Sequence, residues 1–195
     1  MQKNLIHDNS SDEQLMSAFS KTEDVNNQRA FEILYQRHKG PLYRFIKKSI
    51  NHEQDANEVF QELWFKIINY KQQYDPQQKF TTWAYTIARR LIIDQFRKTG
   101  RMAEVTRMDA SPETQAQEHE LKQPENDFEA RQMSKELNHA ITALPLNQRT
   151  AFIMKHDSGL SIKEIAQITA QPHEQIKSQY RYAVQKIKMA LERFK

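Results

Sequence analysis

Lys177, Ser178, Arg181 and Tyr182 fall within two helical turns after Pro172. They lie on a different face from the apolar series Ile176, Tyr180, Ala183, Val184, Ile187, Leu191 and Phe194. Side chains of these types can read a DNA duplex. A guanidinium on a helix can pair with both acceptors of a guanine edge. A lysine beside it meets phosphate and adds affinity without sequence information. A short serine lets the backbone come close. The helix also has a partner. Ser161-Ile162-Lys163-Glu164 is spaced as a capping box, Ser at the N-cap and Glu at N3, with Ile162, Ile165 and Ala166 inward. Thr169-Ala170-Gln171 breaks the chain, and Pro172 suits the first turn of the next helix because its missing N–H is not needed there. The pattern predicts a helix-turn-helix and makes DNA the first partner to consider.

Two further groups could do chemistry. Ala56, Val59, Phe60, Leu63, Trp64 and Ile67 share one broad helical face, and Asp55, Glu58 and Glu62 fall together roughly opposite it. Such a stripe is either a solvated outer face or a dock for a basic helix, and composition does not choose between them. The loop Tyr74-Asp75-Pro76-Gln77-Gln78-Lys79-Phe80 leads into Thr81-Thr82-Trp83-Ala84-Tyr85, with Arg89, Arg90 and Arg97 away from the apolar stripe that follows. Aromatic rings beside cations can hold unstacked bases. Trp83 reads first as a core tryptophan. Tyr74 and Phe80 are the better candidates for touching a base.

Enzyme motifs are missing. The seven histidines are scattered, with no H-E-x-x-H and no Gly-rich phosphate loop, and the single Glu136-x-x-His139 pair is half of what a di-iron bundle needs. There is no cysteine, hence no disulfide and no thiolate metal site. No catalytic residue, metal ligand or cofactor is nominated. No long apolar run suggests a membrane span or leader, so the expected location is the cytoplasm.

The elements that must position these groups follow from charge and periodicity. The net charge of +4 divides into −3 over residues 1–25, +7 over 26–101, −5 over 102–132 and +5 over 133–195. Two basic modules flank an acidic stretch, and basic modules that each carry a motif point to nucleic acid. Rare glycine, abundant charge and the lack of strand patterns predict an all-α fold of two small helical domains. Residues 1–25 read as a polar, partly helical tail. Residues 26–101 read as a helical module, with its first helix broken at Gly40-Pro41, a third helix from His52 to Tyr70 and a fourth from Thr81 to Lys98. Residues 102–132 have flexible-linker composition. Residues 133–195 form the second module, with helices at Met133 to Leu144 and Asn147 to His156 before the helix-turn-helix. A stand-alone DNA-binding regulator would explain the second module only, and a protein adaptor only the acidic stripe.

Taken in order, these motifs resemble a bacterial RNA polymerase sigma factor of the extracytoplasmic-function type, within the sigma-seventy family. Ala30 to Tyr35 and Pro41 to Phe45 look like the opening of the family's second region. Asp55 to Trp64 looks like its polymerase-binding helix, and Phe80 to Arg89 like its promoter-melting segment, with Asp94 to Lys98 continuing the −10-reading helix. Ala143-Leu144-Pro145, Gly159-Leu160-Ser161, Glu164-Ile165-Ala166 and Ile176-Lys177-Ser178 look like the fourth region.

The resemblance implies a protein that is not an enzyme. It implies binding of core RNA polymerase through Asp55, Glu58, Gln61 and Glu62. It implies −10 promoter DNA contacts through Tyr74, Lys79, Phe80, Arg89, Arg90 and Arg97. It further implies −35 contacts through Lys177, Ser178, Arg181 and Tyr182, and control by an anti-sigma factor. Some positions depart from the family. Asn57 stands for a second acid, which implies weaker clamp docking. Arg90 stands where Asn is frequent, and Gln179 and Tyr182 where Arg is frequent. Ala170 stands in a turn that favours Gly, so a remodelled turn is expected.

Overall fold

The structure, a computed structural model, describes residues 6–21, 27–50, 52–101 and 128–192. Among the described residues there are eight α-helices, one 3-10 turn and no strand. The first is α1 (Asp12–Ser20), opened by a capping box in which Ser11 and Gln14 exchange hydrogen bonds. The stretch read as a polar, partly helical tail does contain a helix, and that helix belongs to the core. Leu15, Met16, Ala18 and Phe19 are buried in α1, which packs on α2 (Asn27–Ser49). So short a helix is held by packing and not by its own propensity.

The expected break at Gly40-Pro41 is absent, and α2 runs through it. Proline removes one N–H from the helical ladder. Ala30 and Leu34 before it and Leu42, Phe45 and Ile46 after it are all buried, so the core holds both halves as one helix. The first module continues with α3 (Glu53–Asn69), the 3-10 turn Lys71–Gln73 and α4 (Phe80–Lys98). Trp64 of α3 is 6 % exposed and sits edge-on to Tyr35 of α2 at 4.8 Å between ring centroids. That contact fixes the rotation of α3 and turns Glu58, Gln61 and Glu62 outward.

The second module comprises α5 (Phe128–Thr142), α6 (Leu146–His156), α7 (Ile162–Thr169) and α8 (His173–Ala190). Residues 128–132, read as linker, belong to α5; residues 102–127 lie outside the described residues. Ile165, Ile168, Ile176, Ala183 and Ile187 are buried where α7 and α8 meet each other and α6. The two modules also touch: α7 packs on α4, and α5 and α6 on α2.

Candidate nucleic-acid interface

The capping box foreseen at Ser161 forms. The Glu164 N–H donates to Ser161 Oγ at 3.2 Å, and the Ser161 N–H donates to Glu164 Oε2 at 2.8 Å. The turn after α7 is not remodelled around its missing glycine. Ala170 itself takes the left-handed conformation, φ 52° and ψ 41°, and no other described non-glycine residue has positive φ. The Gln171 N–H closes on the Ala166 carbonyl at 3.1 Å and the Ala170 N–H on that of Gln167 at 3.3 Å, which satisfies the helix end. Pro172 then stands at the N-cap of α8, one residue before the helix begins.

On α8, Lys177, Arg181 and Tyr182 are exposed and Ser178 is half-buried. The Arg181 guanidinium lies over the Tyr182 ring, 5.5 Å from its centroid. Lys177 is 3.8 Å from Glu174 in an exposed pair. Such a pair is weak, so Lys177 can exchange partners readily. One helix thus offers a forked donor and a point charge outward from a capped support helix.

The acidic stripe is less uniform than its periodicity suggests. Glu58, Gln61 and Glu62 are exposed, with Glu62 bridged to Lys66 at 3.3 Å. Asp55 is half-buried and holds Arg101 at 2.7 Å. Gly100, at φ 70°, makes this possible: it ends α4 in the left-handed region and carries Arg101 back onto the start of α3. Asn57 accepts a hydrogen bond from the Tyr43 hydroxyl at 2.9 Å. Beside the acids, Phe65 is 61 % exposed and Ile68 40 %. Neither was singled out from the sequence. Their signal was there, as apolar residues outside the buried stripe of an otherwise regular helix.

The six residues expected at the −10 element do not form one surface. Tyr74 and Phe80, the rings expected to be open to a base, are 6 % and 0 % exposed. The Tyr74 hydroxyl donates to the Gln78 carbonyl and its ring packs on Trp83 at 5.3 Å. Burial pushes that hydroxyl's pKa well above the ordinary tyrosine range, and the carboxylates of Glu13, Asp12 and Asp75 push it the same way. Phe80 lies under the His38 ring at 4.9 Å, and its N–H donates to Glu13 of α1 at 3.2 Å. The reason is that α1, read as tail, covers this end of the loop. Asp12 holds α1 there through His38 at 2.7 Å and Arg37 at 2.8 Å. Burial pushes the Asp12 carboxyl upward, but those two partners outweigh it and leave it below its ordinary value.

Of the cations, Arg89 is half-buried, and desolvation lowers its pKa. Arg90 and Arg97 are exposed, with Arg97 paired to Asp94 at 3.0 Å. Lys79 is exposed and paired to Glu164 at 2.7 Å. A groove between α3, the 3-10 turn and α4 is lined by Lys66, Tyr70, Gln73, Trp83, Ile87 and Arg90, among others, and measures about 370 Å³. Trp83 is therefore neither a buried core residue nor fully exposed; one side of it forms the groove wall. Lys66, Tyr70 and Gln73 were not foreseen there, because the fold alone brings the end of α3 beside α4. Asp94, paired to Arg97, also lines the groove, so its two cations are partly offset, while its two aromatic walls can stack a single base.

Residues 34–102 match the family model for Sigma-70 region 2, and residues 134–187 that for Sigma-70, region 4. The chain is 27% identical over 150 residues to the ECF RNA polymerase sigma factor SigE of Mycolicibacterium smegmatis, spanning 76% of this chain and 56% of SigE, little more than half of it. It is 25% identical over 156 residues to the ECF RNA polymerase sigma factor SigW of Bacillus subtilis, spanning 78% of this chain and 83% of SigW. Two solved structures share the fold. CnrH, in complex with the cytosolic domain of CnrY, has a TM-score of 0.68 at 18% identity, covering 94% of this chain and 98% of that one. The sigma factor RpoE, in complex with the anti-sigma factor NepR from Bartonella quintana, has a TM-score of 0.64 at 21% identity, covering 83% and 96%.

Proposed function

The chain belongs to the sigma-70 family, as a member of its extracytoplasmic-function type, and from that premise we propose that it binds core RNA polymerase and directs promoter-specific transcription initiation. The observation that carries this reading is the pairing of two surfaces on one chain. One is the outward acidic and apolar face of α3. The other is the cationic face of α8 beyond its capped support helix.

In this reading Glu58, Gln61 and Glu62 meet a basic helix of the polymerase, with Phe65 and Ile68 supplying apolar contact at the centre. Asp55 serves mainly to tie Arg101 and the end of α4 to α3. Lys177, Ser178, Arg181 and Tyr182 read the −35 element in the major groove. Residues Tyr74 and Phe80 support the −10 loop from within. The nucleotide they were expected to hold goes to the groove between Tyr70 and Trp83, where Lys66 and Arg90 meet its phosphates and Lys79 and Arg97 the neighbouring backbone. The chain supplies recognition and strand separation, and the polymerase does the chemistry. It works where polymerase is, in the cytoplasm; no helix among the described residues is long and apolar enough to cross a membrane. An anti-sigma factor would compete for the α3 face, as a partner of that name accompanies the similar RpoE.

Transcription of a genomic library by core polymerase with and without the chain tests the reading. The expected result is a defined set of new start sites that appears only when chain and core are together. A chain that binds duplex DNA equally well without polymerase and adds no start sites is a stand-alone regulator, and the proposal fails.

A further inference from the structure

The loop from Tyr74 to Lys79 is held at both ends by one helix, α1. At its far end α4 lacks a cap of its own. The N-cap residue is Lys79, whose side chain makes no capping hydrogen bond among the described residues, and the first turn carries no acid. A cation at that position opposes the helix dipole. The acid of the loop, Asp75, is engaged in the turn itself, where it accepts from the Gln77 N–H at 2.9 Å. The missing cap comes from α1. Glu13 Oε1 accepts from the Phe80 N–H at 3.2 Å across 67 positions of sequence, and so brings a carboxylate to the positive end of α4.

At the near end, the 3-10 turn Lys71–Gln73 rests on the other end of the same helix. The Lys71 ammonium lies 4.4 Å from the centroid of the Phe19 ring. Glu13 and Phe19 are separated by about 9 Å along a regular helix. That spacing is rigid, because α1 is itself pinned. Arg37 and His38 hold Asp12 at 2.8 and 2.7 Å, and Leu15, Met16, Ala18 and Phe19 are buried. The two anchored ends carry the two walls of the groove. Tyr70 and Gln73 belong to the 3-10 turn and its cap, and Trp83 and Ile87 to α4. Among the described residues that line the groove, none comes from α1.

We propose that α1 is the positioning element of this groove and Glu13 its positioning residue: Glu13 caps α4 in place of Lys79 while Phe19 holds the 3-10 turn, and together they set the separation of Tyr70 and Trp83 at which one unstacked base fits between them. This rests on the reading of the groove as the seat of a −10 base. The loop is ordered when the chain folds, so strand binding loses no free energy to ordering it.

The probe is a single strand of about twelve nucleotides, bound by the full chain on core polymerase, with an abasic site placed at one position at a time. Omitting the base that the groove holds should weaken binding about tenfold in the native chain, as expected for one stacked base. Glu13→Ala should cut that penalty to about threefold. Glu13→Gln should keep it, because the amide oxygen accepts the same N–H. Lys71→Met attacks the other anchor and should lower the penalty with Glu13 intact. The penalty is a ratio of affinities, so a lost positive charge or a general loss of stability, which weakens all strands alike, leaves it unchanged. Binding of a −35 duplex reports that each variant is folded. If Glu13→Ala and Lys71→Met both keep a penalty that Trp83→Ala abolishes, the groove holds the base and α1 does not position it. If no position carries a penalty in the native chain, or Trp83→Ala leaves it unchanged, the groove reading is wrong and the role of α1 falls with it.

Discussion

Lys79 and Glu164 meet at 2.7 Å although 85 positions separate them in sequence, and the same carboxylate closes the cap of α7 through Ser161. One side chain therefore links the start of the helix-turn-helix to the loop of the other module. Its acidity records both duties. The Lys79 ammonium first, then the hydroxyl and N–H of Ser161, hold the Glu164 carboxyl down to about 2.

Acid should undo this link in a defined window. Glu164 binds fewer protons in the folded than in the unfolded chain, so its contribution is full above its ordinary value of 4.5 and is lost as pH falls toward about 2. Lys79 remains charged throughout, since its pKa is raised by the same hydrogen bond. Energy transfer between dyes on the two modules should hold steady down to that ordinary value and then decline. In Glu164→Gln the Glu164 part of that decline should vanish. An acid titration identical in the two proteins would remove Glu164 from the account.

The turn of the helix-turn-helix stores strain. Ala170 sits at φ 52°, a conformation that costs an L-residue about 1–2 kcal/mol. Glycine relieves it but gives back some unfolded-state entropy. Ala170→Gly should therefore stabilise the protein by about 0.5–1 kcal/mol, read as a rise of roughly 1–4 °C in thermal melts. Gly159, at φ 67° with open space around it, is the mirror case. Gly159→Ala should lower stability by about 1 kcal/mol through the backbone alone.

How much of this was legible follows from the range of the interactions involved. The capping box at Ser161, the apolar face of α3 and the outward cations of α8 are local or periodic, and each stands where the sequence places it. The continuity of α2 through Pro41 was not legible, because it depends on burial on both sides of one missing hydrogen bond. Nor was the burial of Tyr74 and Phe80, which depends on α1 folding over a loop some 60 residues away, as in the Glu13 to Phe80 hydrogen bond with its separation of 67. A loop with two aromatics reads as open until something is known to cover it. The pairing of Lys79 with Glu164 lies beyond any pattern in either segment.

Core polymerase binding should depend unevenly on the acids of α3. Glu58 and Glu62 are exposed, and among the described residues Glu62 pairs with an i,i+4 lysine. Changing both to Lys should weaken core binding by at least about tenfold with helicity unchanged, since like charges would then face the partner. Asp55→Asn should act differently. Its carboxylate is already spent on Arg101 at 2.7 Å, so the expected loss is mainly of stability near the end of α4. Phe65→Ser should weaken core binding without any change in melting temperature, because the ring is 61 % exposed in the free chain. Pull-down with core and thermal melts, run side by side, separate these cases. Equal core binding by all variants would make the α3 face a solvated surface.

Recognition of the −35 element should divide between Arg181 and Lys177. Arg181 stands exposed on α8, its guanidinium 5.5 Å from the centroid of the Tyr182 ring, which limits the directions the fork can take. A bidentate contact to guanine is worth about 1–3 kcal/mol of discrimination. Arg181→Ala should therefore relax preference at one position of the element. Arg181→Lys should rescue affinity but not preference, because a point charge cannot make the fork. Tyr182→Ala should give a smaller loss at the same position. Among the described residues Lys177 pairs with the exposed Glu174 at 3.8 Å, a weak contact that phosphate can replace. Lys177→Ala should weaken all sequences alike and reduce the salt slope by about 1. Competition binding with single-base promoter variants, repeated at several salt concentrations, measures both effects. Unchanged preference and unchanged slope would mean that α8 does not enter the groove.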